Sequence, residues 1–422
     1  MLRRVRADGY KNLRETELDL RQDGLTVLLG PNGSGKSSLF GAIQLLREVA
    51  AGLLRDSHIA GDRFVDYVEH GDTGTKIRLE ADVDGAQRTT TWSLTVGKQS
   101  VAHNVQVIKE SLSDGVESAS RDTLARKMLV NRKPVEFSLS DDETLCYQAR
   151  SYPGFRDQSA NDVWRGFAAN INESLGPVRI AQLNPVLLAK PVPLGQQVEV
   201  DGYGLAAQLL ILSSSRRKSF AEIQDRFCEL FPWVEEIELP TATRFASSDG
   251  VQGIQGSYGA QGVATSQVST VELRFREKGV ARSYPASQIA SGMLLALALL
   301  WMAHRIEGDR IICFDEPENS LHPYLLKYFY DLMKGLTKAE AGRPPIQILV
   351  ATHSVDFVNL CEPHEVRICE RHADGRLKVQ SIRDKKDLAS AVDDYKGAMG
   401  ELWFSGALDG LPSNGSASPR SR

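Results

Sequence analysis

The chain has 422 residues, 42% hydrophobic and 25% charged, which is enough for two or three domains or for one composite domain with insertions. Its net charge of −4 excludes a global electrostatic footprint for nucleic acid, so any such contact must be local. Five cysteines (Cys146, Cys228, Cys313, Cys361 and Cys369) contain no C-x-x-C pair, which argues against a disulfide framework or a zinc site and fits a reducing cytosol.

The first stretch, "MLRRVRADGYKNLRETELDL", carries Arg3, Arg4 and Arg6 with no apolar segment behind them, so it does not read as a signal peptide. Leu18 and Leu20 alternate with charged neighbours and predict two strands around a turn. Leu25 to Leu29 form an apolar run of the buried parallel type. It leads into Gly30, Pro31, Asn32, Gly33, Ser34, Gly35, Lys36, Ser37 and Ser38, which fit the P-loop pattern G-x-x-x-x-G-K-S at every defined position. The glycines let the backbone turn tightly and aim N–H groups at phosphate oxygens. Lys36 brings a point charge to the β- and γ-phosphates, and the Ser37 hydroxyl suits Mg²⁺. Leu39, Ile43, Leu46 and Ala50 follow at helical spacing, so a helix begins there and turns its positive end towards the phosphates. Binding of a nucleoside triphosphate with Mg²⁺ is the expected chemistry.

"KIRLEADV" and "TTTWSLTV" alternate as strands of an antiparallel subdomain. From about residue 140 to 235 the chain is helix-rich, with "NDVWRGFAANINESL" and "FAEIQDRFCELF" amphipathic at helical spacing. Arg216, Arg217 and Lys218 form the compact basic cluster, a solvated loop or a DNA contact. Residues 247–267, rich in Gly, Ser and Gln, predict a mobile loop. "MLLALALLWMA", residues 293–303, is too short to span a bilayer and predicts a buried helix.

"IICFDEPENSLHP", residues 311–323, drives an apolar strand into Asp315, Glu316 and Glu318, either a strand ending in a solvated turn or an acidic site at a buried strand's end. A P-loop fold needs such a strand, which favours the second. "QILVATHSVDF" is a further apolar strand, and "YLLKYFYDLMKGL" between the two predicts a helix with βαβ spacing. "LPSNGSASPRSR" predicts a disordered tail. Trp403 and Phe404 before it pack a terminal helix or form a docking patch.

With P-loop, "SYPASQIASGM", "IICFDEP" and "ATHS" in that order, the chain resembles the ABC-type ATPases of the OLD, RecF and SMC group, in stand-alone AAA-family form. The resemblance implies an α/β P-loop ABC-type ATPase head: a two-lobed parallel-strand core plus an antiparallel β-subdomain, with a helical insertion. The division expected is 1–135 for the N-terminal lobe, 136–240 for the insertion, 241–410 for the C-terminal lobe and 411–422 for the tail. By the same resemblance Asp315 holds Mg²⁺ through water, Glu316 is the general base, and His353 is the switch histidine at the γ-phosphate. Lys11 and Asn12, at the family's "YKN" position, approach the nucleotide or belong to a solvated turn.

Ser291 and Gly292 fall in the family's signature segment, which caps the γ-phosphate of a head-to-tail partner, or Ser291 is simply a helix cap. The usual signature serine falls on Ala290, and a methyl cannot donate to phosphate. The resemblance implies a homodimer or higher homo-oligomer. The middle of the chain has no long heptad array, against a coiled-coil arm. No acidic constellation of the Toprim kind follows His353, so a nuclease or toxin effector is expected as a separate chain. Three functions compete: an ATPase driving such an effector in anti-phage defence or genome maintenance, a slow nucleotide-gated scaffold, and a RecF-like DNA-repair mediator. A cytoplasmic, non-membrane setting is expected for all three.

Overall fold

The computed structural model describes residues 1–20, 24–68, 76–85, 88–98, 104–123, 127–135, 143–149, 158–246, 266–304, 311–319, 321–339, 345–382 and 399–405. The chain forms two compact units, one of residues 1–180, 307–318 and 326–422, the other of residues 181–306 and 319–325.

The first unit is built on two sheets. A six-stranded sheet runs in the order Val178–Ala181, Ile311–Asp315, Gln347–Thr352, Leu25–Leu29, Val366–Arg371, Leu377–Ser381. The strands Ile311–Asp315, Gln347–Thr352, Leu25–Leu29 and Val366–Arg371 are mutually parallel, and Leu377–Ser381 closes the edge antiparallel. Leu25–Leu29 is buried along its whole length, as its unbroken apolar run requires of a strand covered on both faces. In register, Asp315 pairs with Ala351 and Thr352 with Leu29, so the acidic turn, the Thr352–His353 turn and the glycine-rich loop leave the sheet at one carboxyl edge. In open α/β sheets that edge is where ligands bind.

The second sheet of this unit has eight antiparallel strands in the order Thr16–Asp19, Leu2–Asp8, Lys76–Asp84, Thr89–Lys98, Val105–Ser113, Ser118–Asp122, Lys127–Val130, Lys133–Pro134. The two expected strand segments pair here in register, Ile77 with Val96 and Ala81 with Trp92. Helix Lys36–Ala50 packs against strands Leu2–Asp8 and Lys76–Asp84 and against helix Gln158–Leu175. Its predicted inward residues Leu39, Ile43, Leu46 and Ala50 are all fully buried. Each of the three larger ones adds about 1.5–3 kcal/mol by leaving water.

In the second unit, helix Ser291–His304 packs on helices Arg217–Leu230 and Pro185–Leu188. Every residue from Met293 to Met302 is buried, which accounts for an apolar run with no polar face. Phe227 stacks with Phe231 and Phe275 at centroid distances of 4.8 and 5.4 Å, tying helix Arg217–Leu230 to the sheet of Val234–Glu238, Arg274–Glu277 and Ser283–Pro285. The segment expected as a helical insertion is shared: helix Gln158–Leu175 belongs to the first unit, helices Leu205–Ser215 and Arg217–Leu230 to the second. Of the expected loop at 247–267, residues 247–265 lie outside the described residues, as does the expected tail, whereas Ser266 and Gln267 are not loop but the start of strand Ser266–Val271, paired with Ala246 and Phe245. No described helix is long and apolar enough to cross a membrane.

Candidate functional site

The glycine-rich loop is held in shape from inside and from both flanks. Lys36 donates through Nζ to the carbonyls of Gly30 and Pro31, at 2.7 and 3.1 Å, across the loop that it closes. Asn12 donates through Nδ2 to the Ser34 carbonyl at 3.0 Å, and Arg371 through Nη1 to the Gly33 carbonyl at 3.2 Å. Gly35 precedes the helix at φ 119°, and a Cβ there would meet Asn12 Nδ2 at 2.4 Å, so both backbone and neighbour require glycine. Burial lowers the Lys36 ammonium below its ordinary pKa, while the carboxylates of Glu316, Asp315 and Glu318 oppose that shift.

The three carboxylates of the acidic turn go to three different partners. Asp315 ends its strand and accepts the Ser37 hydroxyl at Oδ2, 2.9 Å away. Glu316 follows at φ 49°, the left-handed region that side chains other than glycine rarely adopt. Its amide is tied to the Ala351 carbonyl at 2.9 Å, and its Oε1 lies 3.0 Å from Nδ1 of His353. Glu318 turns inward and takes its bonds from the Thr352–His353 backbone and hydroxyl. Asp315 and Glu316 stay partly exposed, whereas Glu318 is buried.

The expected site residues therefore divide into groups. The glycine-rich loop with Lys36 and Ser37, Asn12, Asp315, Glu316 and His353 converge at one sheet edge of the first unit. Lys11 is at the same turn as Asn12, but its Nζ lies 4.8 Å from the centre of the Tyr67 ring. Ser291 and Gly292 open helix Ser291–His304 in the second unit, and Ala290 accepts the Met293 amide at 2.9 Å. Arg216, Arg217 and Lys218 are exposed there too. Trp403 is buried while Phe404 projects outward, so the first packs the terminal helix and the second does not. Arg371 was not singled out from sequence, and Glu318 was noted there only as part of the acidic turn, because their partners stand 338 and 34 residues away in the chain.

The oxygen donors of Ser37 and Asp315, a hydroxyl and a carboxylate, are the hard ligands that Mg²⁺ takes beside nucleotide phosphates. No cluster of three or more His, Cys, Asp or Glu suited to a metal occurs among the described residues, so a metal would depend on ligands from a nucleotide and water. All five cysteines are free thiols. Burial pushes Cys369, next to the loop, up to about 12, which keeps it an unreactive thiol.

A parallel core with a glycine-rich loop on a central strand, an acidic turn one strand removed and an antiparallel subdomain make up the fold of the ABC-type P-loop ATPases, OLD- and SMC-like in character. The chain belongs to the family described as AAA domain, putative AbiEii toxin, Type IV TA system, matched over residues 111–359; a second match to an AAA domain covers residues 4–158. It is 24% identical over 404 residues to an OLD nuclease of Thermus scotoductus, with 94% of this chain and 66% of that protein covered. The chain thus spans just under two thirds of that relative. Among solved structures, an SMC head bound to the C-terminal winged-helix domain of ScpA matches with a TM-score of 0.51 and 14% identity over 90% of this chain and 96% of that one, a likeness of fold.

Proposed function

We propose that the chain binds ATP with Mg²⁺ and hydrolyses it, and that nucleotide-dependent closure of two copies gates a separate effector. The observation that carries the proposal is the convergence of Lys36, Ser37, Asp315, Glu316 and His353 at one edge of the parallel sheet. In this reading Lys36 leaves the loop carbonyls for the β- and γ-phosphates, exchanging two neutral acceptors for charged ones. Ser37 and Asp315 would hold Mg²⁺, which when bound neutralises charge on the β- and γ-oxygens. Glu316, which leaves its strand at a left-handed φ of 49°, takes the proton of the attacking water. His353 hydrogen-bonds Glu316 and steadies it beside the γ-phosphate position. Asn12 and Arg371 keep the loop carbonyls turned away from the phosphates.

The closing arrangement is head-to-tail, with Ser291, Gly292 and the helix they open presented to the partner's γ-phosphate. The family description and the OLD-type relative point to an effector of toxin or nuclease kind, in anti-phage defence or genome maintenance. Ala290 supports a second reading, a scaffold in which ATP holds the assembly and turnover is incidental, because a methyl at that position donates nothing to phosphate.

Light scattering on Glu316→Gln with and without Mg²⁺-ATP tests the closure. A mass that doubles only with ATP is the expected outcome. A mass indifferent to ATP contradicts closure of the isolated chain and leaves assembly to a partner. Wild-type turnover measured alongside separates the two readings, since the scaffold closes with negligible turnover.

A further inference from the structure

The third carboxylate of the acidic turn, Glu318, has no part in the chemistry above, yet it is only 8% exposed. Burying a carboxyl group costs free energy unless its bonds are made, so its position calls for a physical reason. Its Oε1 accepts two donors from the end of the neighbouring parallel strand: the Thr352 hydroxyl and, at 3.4 Å, the His353 amide. The Thr352 oxygen in turn accepts the Ser354 amide at 2.9 Å, and Ser354 caps helix Val355–Leu360 by accepting the Phe357 amide at 3.2 Å. One carboxyl group therefore anchors the whole turn that carries His353, from strand end to helix start. The other oxygen, Oε2, is buried with no hydrogen-bond partner. All the bonding falls on the side that faces His353.

From this geometry we infer that Glu318 is the positioning residue for His353, fixing the turn so that Nδ1 meets Glu316. This rests on the ATPase reading for its effect on turnover, but not for its effect on the histidine. Burial holds the Glu318 carboxyl above its ordinary pKa, against the pull of the Thr352 and His353 donors. Both donors reach Oε1 alone, so a single carbonyl-type acceptor at that position is enough to hold the turn. Glutamine presents the same acceptor and the same shape, so it is the conservative replacement. Alanine leaves the Thr352 hydroxyl and the His353 amide without their acceptor and frees the turn.

The inference separates two changes that a merely structural role would not. Glu318→Gln is expected to turn over ATP within about threefold of wild type. Glu318→Ala is expected to lose roughly 10- to 100-fold in kcat, as displacement of a catalytic group by about an ångström does, with the affinity for Mg²⁺-ATP unchanged. Because Glu318 acts through the histidine, His353→Ala/Glu318→Ala is expected to be no slower than His353→Ala alone.

The deciding experiment measures turnover, nucleotide affinity and the imidazole ¹⁵N resonances of His353 in wild type, Glu318→Gln and Glu318→Ala. The resonances are assigned by comparison with His353→Gln, and thermal unfolding confirms that each protein folds. In Glu318→Ala the His353 resonances are expected to move, while in Glu318→Gln they stay. A folded Glu318→Ala protein with unmoved His353 resonances overturns the inference, as do additive losses in the double variant. If the wild type itself shows no turnover, the ATPase reading fails, and the resonances alone still decide the role of Glu318. Should Glu318→Ala fail to fold, Glu318→Gln and Thr352→Val read the same contact: Thr352→Val removes one donor and is expected to move the His353 resonances. Unmoved resonances in Thr352→Val would overturn the inference in that case.

Discussion

Glu110 and Glu318 are both buried carboxyl groups, one in the antiparallel sheet and one at the edge of the parallel sheet, and they are bonded in opposite ways. Glu110 takes the Trp92 indole N–H on Oε1 at 2.9 Å and the Leu145 amide on Oε2 at 2.8 Å, with the Arg121 guanidinium 3.6 Å away. Burial pushes its carboxyl above the usual range, and Arg121 with the two N–H donors pulls it back. Both oxygens are used, and the group staples two strands to helix Leu145–Gln148. Glu318 uses one oxygen, and that oxygen holds the turn that carries His353. A fully satisfied buried acid serves the stability of the subdomain around it. A half-satisfied one beside converging polar groups points to a site, where local geometry matters more than stability.

Substitutions at these acids and around the glycine-rich loop test the contrast. Glu110→Ala leaves Arg121 and two N–H donors without their acid, so urea unfolding should register a loss of about 3–5 kcal/mol. A loss under about 1 kcal/mol would mean that the satisfied acid is not the staple described. Lys36→Ala removes the charge from the loop, and titration calorimetry should show Mg²⁺-ATP affinity falling by about 1.5–3 kcal/mol. Unchanged affinity would place the nucleotide elsewhere.

The network of Tyr10, His58 and Glu48 behind the loop helix gives an effect of about 1–2 kcal/mol. Tyr10 Oη is 2.9 Å from His58 Nε2, and His58 Nδ1 is 2.8 Å from Glu48 Oε2. Burial alone would raise the Glu48 pKa, but the hydrogen bond and charge of His58, with the Gln44 amide, bring it below its ordinary value. A depressed folded-state pKa contributes stability that is present above the unfolded value and lost as pH falls through the folded one. The His58→Ala protein should therefore be less stable than wild type near neutral pH, with the gap narrowing on acidification below the ordinary glutamate range. A gap that widens in acid would contradict the assignment.

The smallest effect concerns the strained backbone at Glu316. Glycine removes the left-handed penalty, so Glu316→Gly should exceed Glu316→Ala in unfolding free energy by about 1 kcal/mol, with hydrolysis lost in both. Equal stabilities would show that the site carries no such strain.

How much of this could be read beforehand follows the length scale of each interaction. The glycine-rich loop was legible because its elements are contiguous, from the apolar strand Leu25–Leu29 to the helix face of Leu39, Ile43 and Leu46. The approach of Asp315 to Ser37 was inferable from a fold that places the two strands in one sheet. The inward turn of Glu318 was not, because it stands three residues past its strand and its donors, Thr352 and His353, arrive from the neighbouring one. Nor was Lys11, whose ammonium turns to the Tyr67 ring rather than declaring itself in the pattern. Glu110 shares its strand face with the buried Ile108 and Leu112, but the amide that holds it comes from Leu145, 35 residues further along the chain.

The measurement that bears most directly on the division of labour among the three carboxylates is single-turnover hydrolysis and equilibrium binding of Mg²⁺-ATP by Glu316→Gln. The expected outcome is an affinity within about threefold of wild type and a chemical step slower by roughly 10²–10⁴-fold, the range set by loss of a general base. A variant that hydrolyses at the wild-type rate, or one that loses binding as much as it loses rate, would contradict it.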